Sequence, residues 1–215
     1  MEIIVYGSGG HAKVVADVVA SAGEHRIVAF IDDTRGEPGS LRGCPVYTSL
    51  TDPALEGVDA GLVAIGDNWA RAQVVRKILG LSPGFRFVSA VHASAQIGSG
   101  VQIGAGAVLM PGVVVNADSV IGAHCILNTA CSLDHDCLLG EFASLAPGVV
   151  VGGGVQIGAR CAIGLGAQVI HRVRIGEGSI VGAGSLVTRS VPDQVVAYGS
   201  PCKTVRARTE GERYL

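Results

Sequence analysis

The sequence predicts two architectures in one chain: an open α/β domain over residues 1–90, then an all-β parallel β-helix over residues 91–190, with residues 191–215 as a C-terminal tail. Three observations carry this reading. Strand-like and helical runs alternate through the first 90 residues, and an aliphatic residue recurs every six positions from Val91 to Val187. In addition, 32 glycines and an aromatic content of 4% describe a core of small side chains in a repeating arrangement.

In the front domain, strand-like runs fall at residues 3–6, 27–31, 61–65 and 86–88, and helical patterns at residues 12–22 and 68–79. Val14, Val15, Val18 and Val19 share one face of the first helix. The first strand ends in Gly7-Ser8-Gly9-Gly10-His11-Ala12, a G-x-G-x-x-A turn leading into a helix. Glycines there let the backbone approach a phosphate, whose charge the helix N-terminus favours. The second strand ends in Asp32-Asp33, acceptors suited to ribose or sugar hydroxyls, and the turn Ile65-Gly66-Asp67-Asn68-Trp69 lines the same crevice. The same glycines also fit a tight βα turn without a ligand. A domain of 90 residues supplies one mononucleotide half, not the two that a dinucleotide site spans, so a mononucleotide or nucleotide-sugar fits better than a dehydrogenase cofactor.

From Val91, steps of six land on Ile97, Ile103, Leu109, Val115, Ile121, Leu127, Leu133, Leu139, Leu145, Val151, Ile157, Ile163, Val169, Ile175, Val181 and Val187. Glycine follows nine of these seventeen residues, where a turn needs positive φ or a close approach of backbones. Two positions before each aliphatic residue the side chain is small or valine, and Cys125, Cys131, Cys137 and Cys161 belong to that series. A hexad is too short for a helical repeat; with β-branched residues and turn glycines it marks a β-helix, whose rungs bury their apolar faces only by stacking.

Sixteen Lys and Arg against 18 Asp and Glu leave no electrostatic footprint for nucleic acid. The mean hydropathy of +0.46 raises the question of a membrane protein, and residues 97–117 and 142–159 carry no charge. Both stretches are interrupted by Gly, Pro, Ser, Asn or Gln, which favours short strands and turns over a spanning helix. Met1 leads into a strand-like run without a basic leader, so a cytoplasmic, membrane-free protein is expected. The six cysteines show no CxxC spacing; reduced thiols and no metal site are expected. Eight charged residues among the 97 from Val91 to Val187 leave a surface short of solvating groups, and such a surface predicts a homo-oligomer.

His135 stands between two carboxylates in Leu133-Asp134-His135-Asp136, within a region otherwise almost free of charge. Flanking side chains in a strand point to the opposite face, so a turn must bring one carboxylate to the ring. A carboxylate bonded to one imidazole nitrogen fixes the tautomer and raises the basicity of the other, the arrangement of a general base. A solvated turn would carry the same residues as ordinary polarity. Cys137, two residues from the imidazole, is a competing nucleophile, although its place in the packing series argues for burial. His124 and His171 are expected on turns at the surface.

The [LIV]-G-x-x-x-x array resembles the hexapeptide-repeat acyltransferases, which implies a left-handed parallel β-helix with three hexads per coil and a homotrimer. The Y-G-x-G-G-H turn, F-I-D-D, A-I-G-D-N and D-H-D together resemble, along essentially the whole chain, one bacterial sugar acetyltransferase subfamily. It comprises the N-acetyltransferases of nucleotide-linked 4-amino sugars of the bacillosamine and perosamine type and the sialic-acid O-acetyltransferases. The resemblance implies a Rossmann-like N-terminal domain that holds a nucleotide-linked amino sugar through Gly9, Gly10 and His11, Asp32 and Asp33, and Gly66 and Trp69. It implies acetyl-CoA lying along the β-helix, with active sites between subunits. It also assigns His135 as base, Asp136 as the group that orients it, and Asn128 near the acceptor sugar.

Bacillosamine-type relatives carry a second histidine beside the cofactor, nine residues after the base; here that position is Ser144. Matching positions for the cofactor are Leu165 and Ala183, and Lys203 in the closing Gly199-Ser200-Pro201-Cys202-Lys203 segment for the CoA phosphates, although a solvated basic tail fits Lys203 equally. The reaction expected is direct attack of an amine on the thioester with His135 taking the proton, and the Gly153 N–H in the Gly152-Gly153-Gly154 run meeting the oxyanion. The alternatives are a sialic-acid-type O-acetyltransferase, and a non-catalytic nucleotide-binding β-helix assembly protein.

Overall fold

The computed structural model describes residues 1–213. Its N-terminal part comprises β1 (Glu2–Tyr6), α1 (Gly10–Ala22), β2 (Arg26–Ile31), β3 (Gly39–Leu41), β4 (Cys44–Tyr47), β5 (Ala60–Val63), α2 (Asn68–Leu81) and β6 (Arg86–Phe87). The strands form one sheet in the order β3-β4-β2-β1-β5-β6, parallel except for β3 against β4. Alternation along β1 explains why helices cover both faces. Ile3 and Val5 pack with Val15, Val18 and Val19 of α1, whereas Ile4 and Tyr6 pack with Val75 and Ile78 of α2. The hairpin of β3 and β4 lies outside the strand runs expected from the sequence.

The remainder is a parallel β-helix of two-residue strands. As far as Leu186–Val187 each strand pairs with the one eighteen residues on, as in Val108↔Ile126, Ser132↔Val150 and Val120↔Leu138, so a coil consists of three hexads; the closing pair Ile180↔Val196 is sixteen residues apart. The first face runs from Ala90–Val91 to Ile180–Val181, the second from Gln96–Ile97 to Leu186–Val187, and the third from Gln102–Ile103 to Arg174–Ile175. From Leu109 onward every member of the aliphatic series is buried. The four cysteines of the small-residue series are buried too. Three of their thiols donate to carbonyls fifteen residues on, at Gly140, Gly152 and Gly176, a bond that ties neighbouring coils.

Of the two roles open to the recurrent glycines, close approach is the one the structure uses. A Cβ on Gly140 would stand 2.5 Å from the Ala159 nitrogen, and one on Gly104 2.5 Å from the Ala123 nitrogen. Positive φ instead falls two residues later, every sixth position from Gly100 to Gly184, and is taken at several turns by non-glycine residues including Asp118, His124 and Asp136. The segment after residue 190 is more than a tail. Val195–Tyr198 joins the first face parallel to Ile180–Val181, and Lys203–Ala207 returns antiparallel to it. Among the described residues, no helix is long and apolar enough to cross a membrane.

Candidate active site

Parallel sheets present their ligand crevice where the strand order reverses, here between β1 and β5. Gly7, at φ +112°, turns the chain out of β1, and a Cβ there would meet the Ala64 carbonyl oxygen at 2.7 Å. Gly9 precedes α1 without a side-chain cap. Side chains at Gly9 or Gly10 would meet nothing within 4 Å, which leaves open space beside the start of α1, as an anion at that helix end requires. Asp32 serves the loop itself. Its Oδ2 accepts from the Ser8 N–H and hydroxyl at 3.1 and 2.5 Å, its Oδ1 from the Thr34 N–H and hydroxyl at 3.2 and 2.6 Å. These bonds hold its carboxyl below the usual range although burial opposes them. Asp33 pairs with Lys77 and accepts from the Tyr6 hydroxyl, which together with burial pushes the phenol upward.

The β-helix supplies the facing wall. A cavity of about 390 Å³ brings His11 and Gly66 of the crevice together with Asn128, Ser144, Leu165 and Ala183 of the first face and the turns that follow it. His11 leaves its Nε2 buried without a partner among the described residues; burial, aided by the charge of Arg71, pulls its pKa down to about 4. Its imidazole is therefore neutral at physiological pH. Asn128 Oδ1 accepts from the Thr129 N–H at 2.8 Å. The N–H groups of Leu165 and Ala183 donate to no acceptor among the described residues, so the cavity offers backbone donors at two successive coils.

Ser144 is tied into a cluster that the sequence did not disclose. Its hydroxyl donates to Asn68 Oδ1 at 2.5 Å and accepts from Arg71 Nη2 at 3.1 Å. Asn68 and Arg71 are each 1% exposed, on the first turns of α2; the sequence places Asn68 in the turn lining the crevice and does not single out Arg71. An arginine three residues after the helix-opening asparagine was the available signal.

Gly9, Gly10, Asp32, Asp33 and Gly153 stand outside the cavity lining, and so do Trp69 and Lys203. Trp69 faces the C-terminal segment, where a Cβ on Gly211 would come within 3.2 Å of its Nε1, and it shares a small recess with Arg160 and Arg208 instead of lining the cavity. The start of α2 turns Asn68 toward the cavity side and Trp69 away from it. Lys203 is exposed on the closing hairpin, outside the cavity lining. His124 also departs from expectation: the ring is 7% exposed, stacked on Phe142 with centroids 4.9 Å apart and edge-on to Phe87 at 4.7 Å. The turn carries it, but the N-terminal domain covers that turn.

His135 and Asp136 form a second centre on the turn between the second and third faces. The positive φ of Asp136 folds its side chain back, and the His135 Nδ1–H donates to Asp136 Oδ2 at 2.7 Å. An ionised carboxylate only accepts, so Nδ1 carries the proton and Nε2 is the basic nitrogen. Asp134 contributes from the other side: its Oδ1 accepts from the His135 N–H and from Asn116 Nδ2, both at 2.8 Å. The Asp136 bond, then the charge of Asp134, raises the His135 pKa above 6.5. Gly153 lies one coil on, beneath the ring, where a Cβ would fall 2.6 Å from Nε2. Asp134 occupies the N–H of His135, but Gly152 has no side chain to do the same for Gly153, whose N–H donates to no acceptor among the described residues.

Cys137 is 2% exposed and its thiol donates to the Gly152 carbonyl at 3.2 Å. Burial pushes its pKa up, the opposite of what a nucleophilic thiolate needs. We expect Cys137→Ala to keep turnover within about threefold of wild type, because the thiol is a packing group and not a nucleophile. Loss of turnover in a steady-state assay of a folded variant would overturn that.

Two family models match the chain: the PglD N-terminal domain over residues 2–78 and the bacterial transferase hexapeptide (six repeats) over residues 94–129. Among solved structures, PerB from Caulobacter crescentus, described in complex with CoA and GDP-perosamine, is 41% identical; the match covers 96% of this chain and 98% of that one, with a TM-score of 0.88. The acetyltransferase domain of PglB from Neisseria gonorrhoeae, in complex with acetyl coenzyme A, is 36% identical over 95% and 98% of the two chains, with a TM-score of 0.87. WeeI from Acinetobacter baumannii is 30% identical over 95% and 100%, with a TM-score of 0.82. A galactoside O-acetyltransferase from Lactococcus lactis matches over 28 residues, 61% identical, 13% of this chain and 14% of that protein.

Proposed function

This chain belongs to the sugar N-acetyltransferases built from a PglD-type N-terminal domain and bacterial hexapeptide repeats, and we propose that it acetylates the amino group of a nucleotide-linked 4-amino deoxy sugar from acetyl-CoA. The observation that carries the reading is the cavity, which joins His11 and Gly66 of the nucleotide crevice to Asn128, Ser144, Leu165 and Ala183 of the β-helix. A relative matching along nearly the full chain is described with CoA and GDP-perosamine, which supports both ligands here. The nucleotide is UDP or GDP. Gly9, Gly10 and the open end of α1 take the phosphates, and Asp33, the more exposed of the two carboxylates, meets a hydroxyl.

The amine attacks the thioester carbonyl, and His135 Nε2 accepts the proton lost from nitrogen as the tetrahedral intermediate forms. The Gly153 N–H donates to the oxyanion. The C–S bond then breaks and the imidazolium returns the proton to the leaving thiolate, so that no acyl-enzyme forms. Asp136 stabilises the imidazolium throughout. A homotrimer with sites between subunits fits the placement of the two centres, since His135 lies on the turn beyond the second face while the cavity opens on the first. Leu138, Val150 and Leu165 are 48%, 51% and 58% exposed, an apolar surface that supports association.

The reading is tested by free-CoA release from acetyl-CoA with UDP- and GDP-linked 4-amino sugars and with sialic acid offered in parallel. Release with one amino sugar is the expected result and identifies the nucleotide; release with sialic acid alone would transfer the protein to O-acetylation. Silence with every acceptor would support a binding role instead. In the same assay Asp136→Asn is expected to lower kcat at least tenfold more than Asp134→Asn, because only Asp136 bonds the imidazole. Equal losses would remove the role assigned to Asp136.

A further inference from the structure

Arg71 spans the junction between the two domains. Its Nη1 donates to the carbonyls of Ile65 and Gly66 at 2.8 and 2.9 Å, in the turn that forms the nucleotide-side wall of the cavity. Its Nε and Nη2 reach the β-helix, to the carbonyls of His124 at 2.9 Å and Phe142 at 2.8 Å, and to Ser144. Nη2 also meets Asn68 Oδ1 at 2.7 Å, and Asn68 Nδ2 donates across to the Cys161 carbonyl at 2.7 Å. The acceptors on the β-helix belong to three successive coils, and Ser144 and Gly66 line the cavity from opposite sides. A planar guanidinium with five donors in fixed directions can bridge so many carbonyls; an ammonium cannot.

We propose that Arg71 is a positioning residue for acetyl transfer, which sets the separation and alignment of the two cavity walls and so of the bound acceptor relative to the bound thioester. This inference rests on the reading that the acceptor is held at the nucleotide crevice and acetyl-CoA along the β-helix. Arg71 acts through the turn of Ile65 and Gly66 and through Ser144, so each substrate by itself keeps its contacts when the guanidinium is changed. Alignment errors of an ångström are felt in the rate rather than in the separate affinities.

The experiment compares wild type with Arg71→Lys, Arg71→Met and Ser144→Ala. It measures kcat and KM, binding of CoA alone and of the nucleotide-sugar alone by calorimetry, thermal melting, and amide hydrogen exchange at residues 64–67 and 142–144. Arg71→Lys keeps the charge, and Ser144→Ala removes one partner at little cost to the fold, which guards against an Arg71→Met chain that does not fold.

The expected result for Arg71→Lys is a kcat lowered about 10²-fold, with both separate dissociation constants within about threefold of wild type and faster exchange in both segments. For Ser144→Ala a loss of about tenfold in kcat is expected, in the same direction. An Arg71→Lys variant with wild-type kcat would overturn the proposal, as would a fall in kcat that merely follows the folded fraction. A tenfold loss of affinity for one substrate alone would make Arg71 a local contact instead. If wild type releases no CoA with any acceptor, the proposed reaction fails first. The exchange data then still decide whether Arg71 couples the walls, since unaltered exchange in either segment would remove the coupling.

Discussion

Replacing His135 by alanine is expected to lower kcat about 10³-fold, the middle of the range for loss of a positioned general base, with KM for both substrates changed only a few-fold. The expectation follows from the turn geometry. Asp136 accepts the hydrogen bond from Nδ1–H and Asp134 pins the backbone, so the imidazole presents a lone pair at Nε2 and little else. Both carboxylates favour the protonated ring, and the pKa lies above 6.5. The base works when deprotonated, so wild-type kcat/KM should rise with pH through that elevated value, and Asp136→Asn should move the rise to lower pH while lowering its plateau. A flat profile between pH 6 and 9, or a His135→Ala enzyme with wild-type turnover, would remove the imidazole from the chemistry.

Gly153→Ala is expected to have the next largest effect, about 10²-fold in kcat with little change in melting temperature. The added methyl would stand 2.6 Å from Nε2 and 2.7 Å from Cε1 of His135. Those atoms are the far end of a side chain that is 59% exposed, so the ring swings out and the backbone stays. Gly140 gives the control, because its Cβ would strike the Ala159 nitrogen and the Gly158 carbonyl carbon, backbone atoms of the next coil that cannot move without unseating the rung. Gly140→Ala should therefore lose stability, on the order of 2 kcal/mol. Should Gly153→Ala instead melt early with normal kcat per folded enzyme, its role would be packing alone.

The parts of this molecule legible in the sequence are those in which one local rule repeats. The hexad phase was readable because each aliphatic residue from Leu109 onward meets the same environment, and the packing cysteines were readable for the same reason. The Asp-His-Asp run was readable because both carboxylates are chain neighbours of the ring. The β3–β4 hairpin escaped because its short strands, Gly39–Leu41 and Cys44–Tyr47, lack an alternating pattern long enough to register. Arg71 escaped because its decisive acceptors lie 53 to 73 residues away in the chain. The same distance hid the burial of His124, whose ring is covered by Phe87 from the other domain. Trp69 was placed with the turn it belongs to, but neighbours in a helix point apart and the tryptophan turned to Gly211.

The eighteen-residue pairing that holds as far as Val187 makes the β-helix a ruler with fixed graduations. Equivalent atoms on successive coils stand about 4.8 Å apart, the spacing of paired strands. Ser144, Ala162 and Ile180 therefore mark out about 10 Å along the wall of the cavity, a length set by coil count and not by any one side chain. Such a scaffold changes length only in whole coils, since a single inserted residue would rotate every later rung off its face. Descendants of this chain can lengthen or shorten the groove in steps of eighteen residues, and a ligand bound along it is measured in the same unit.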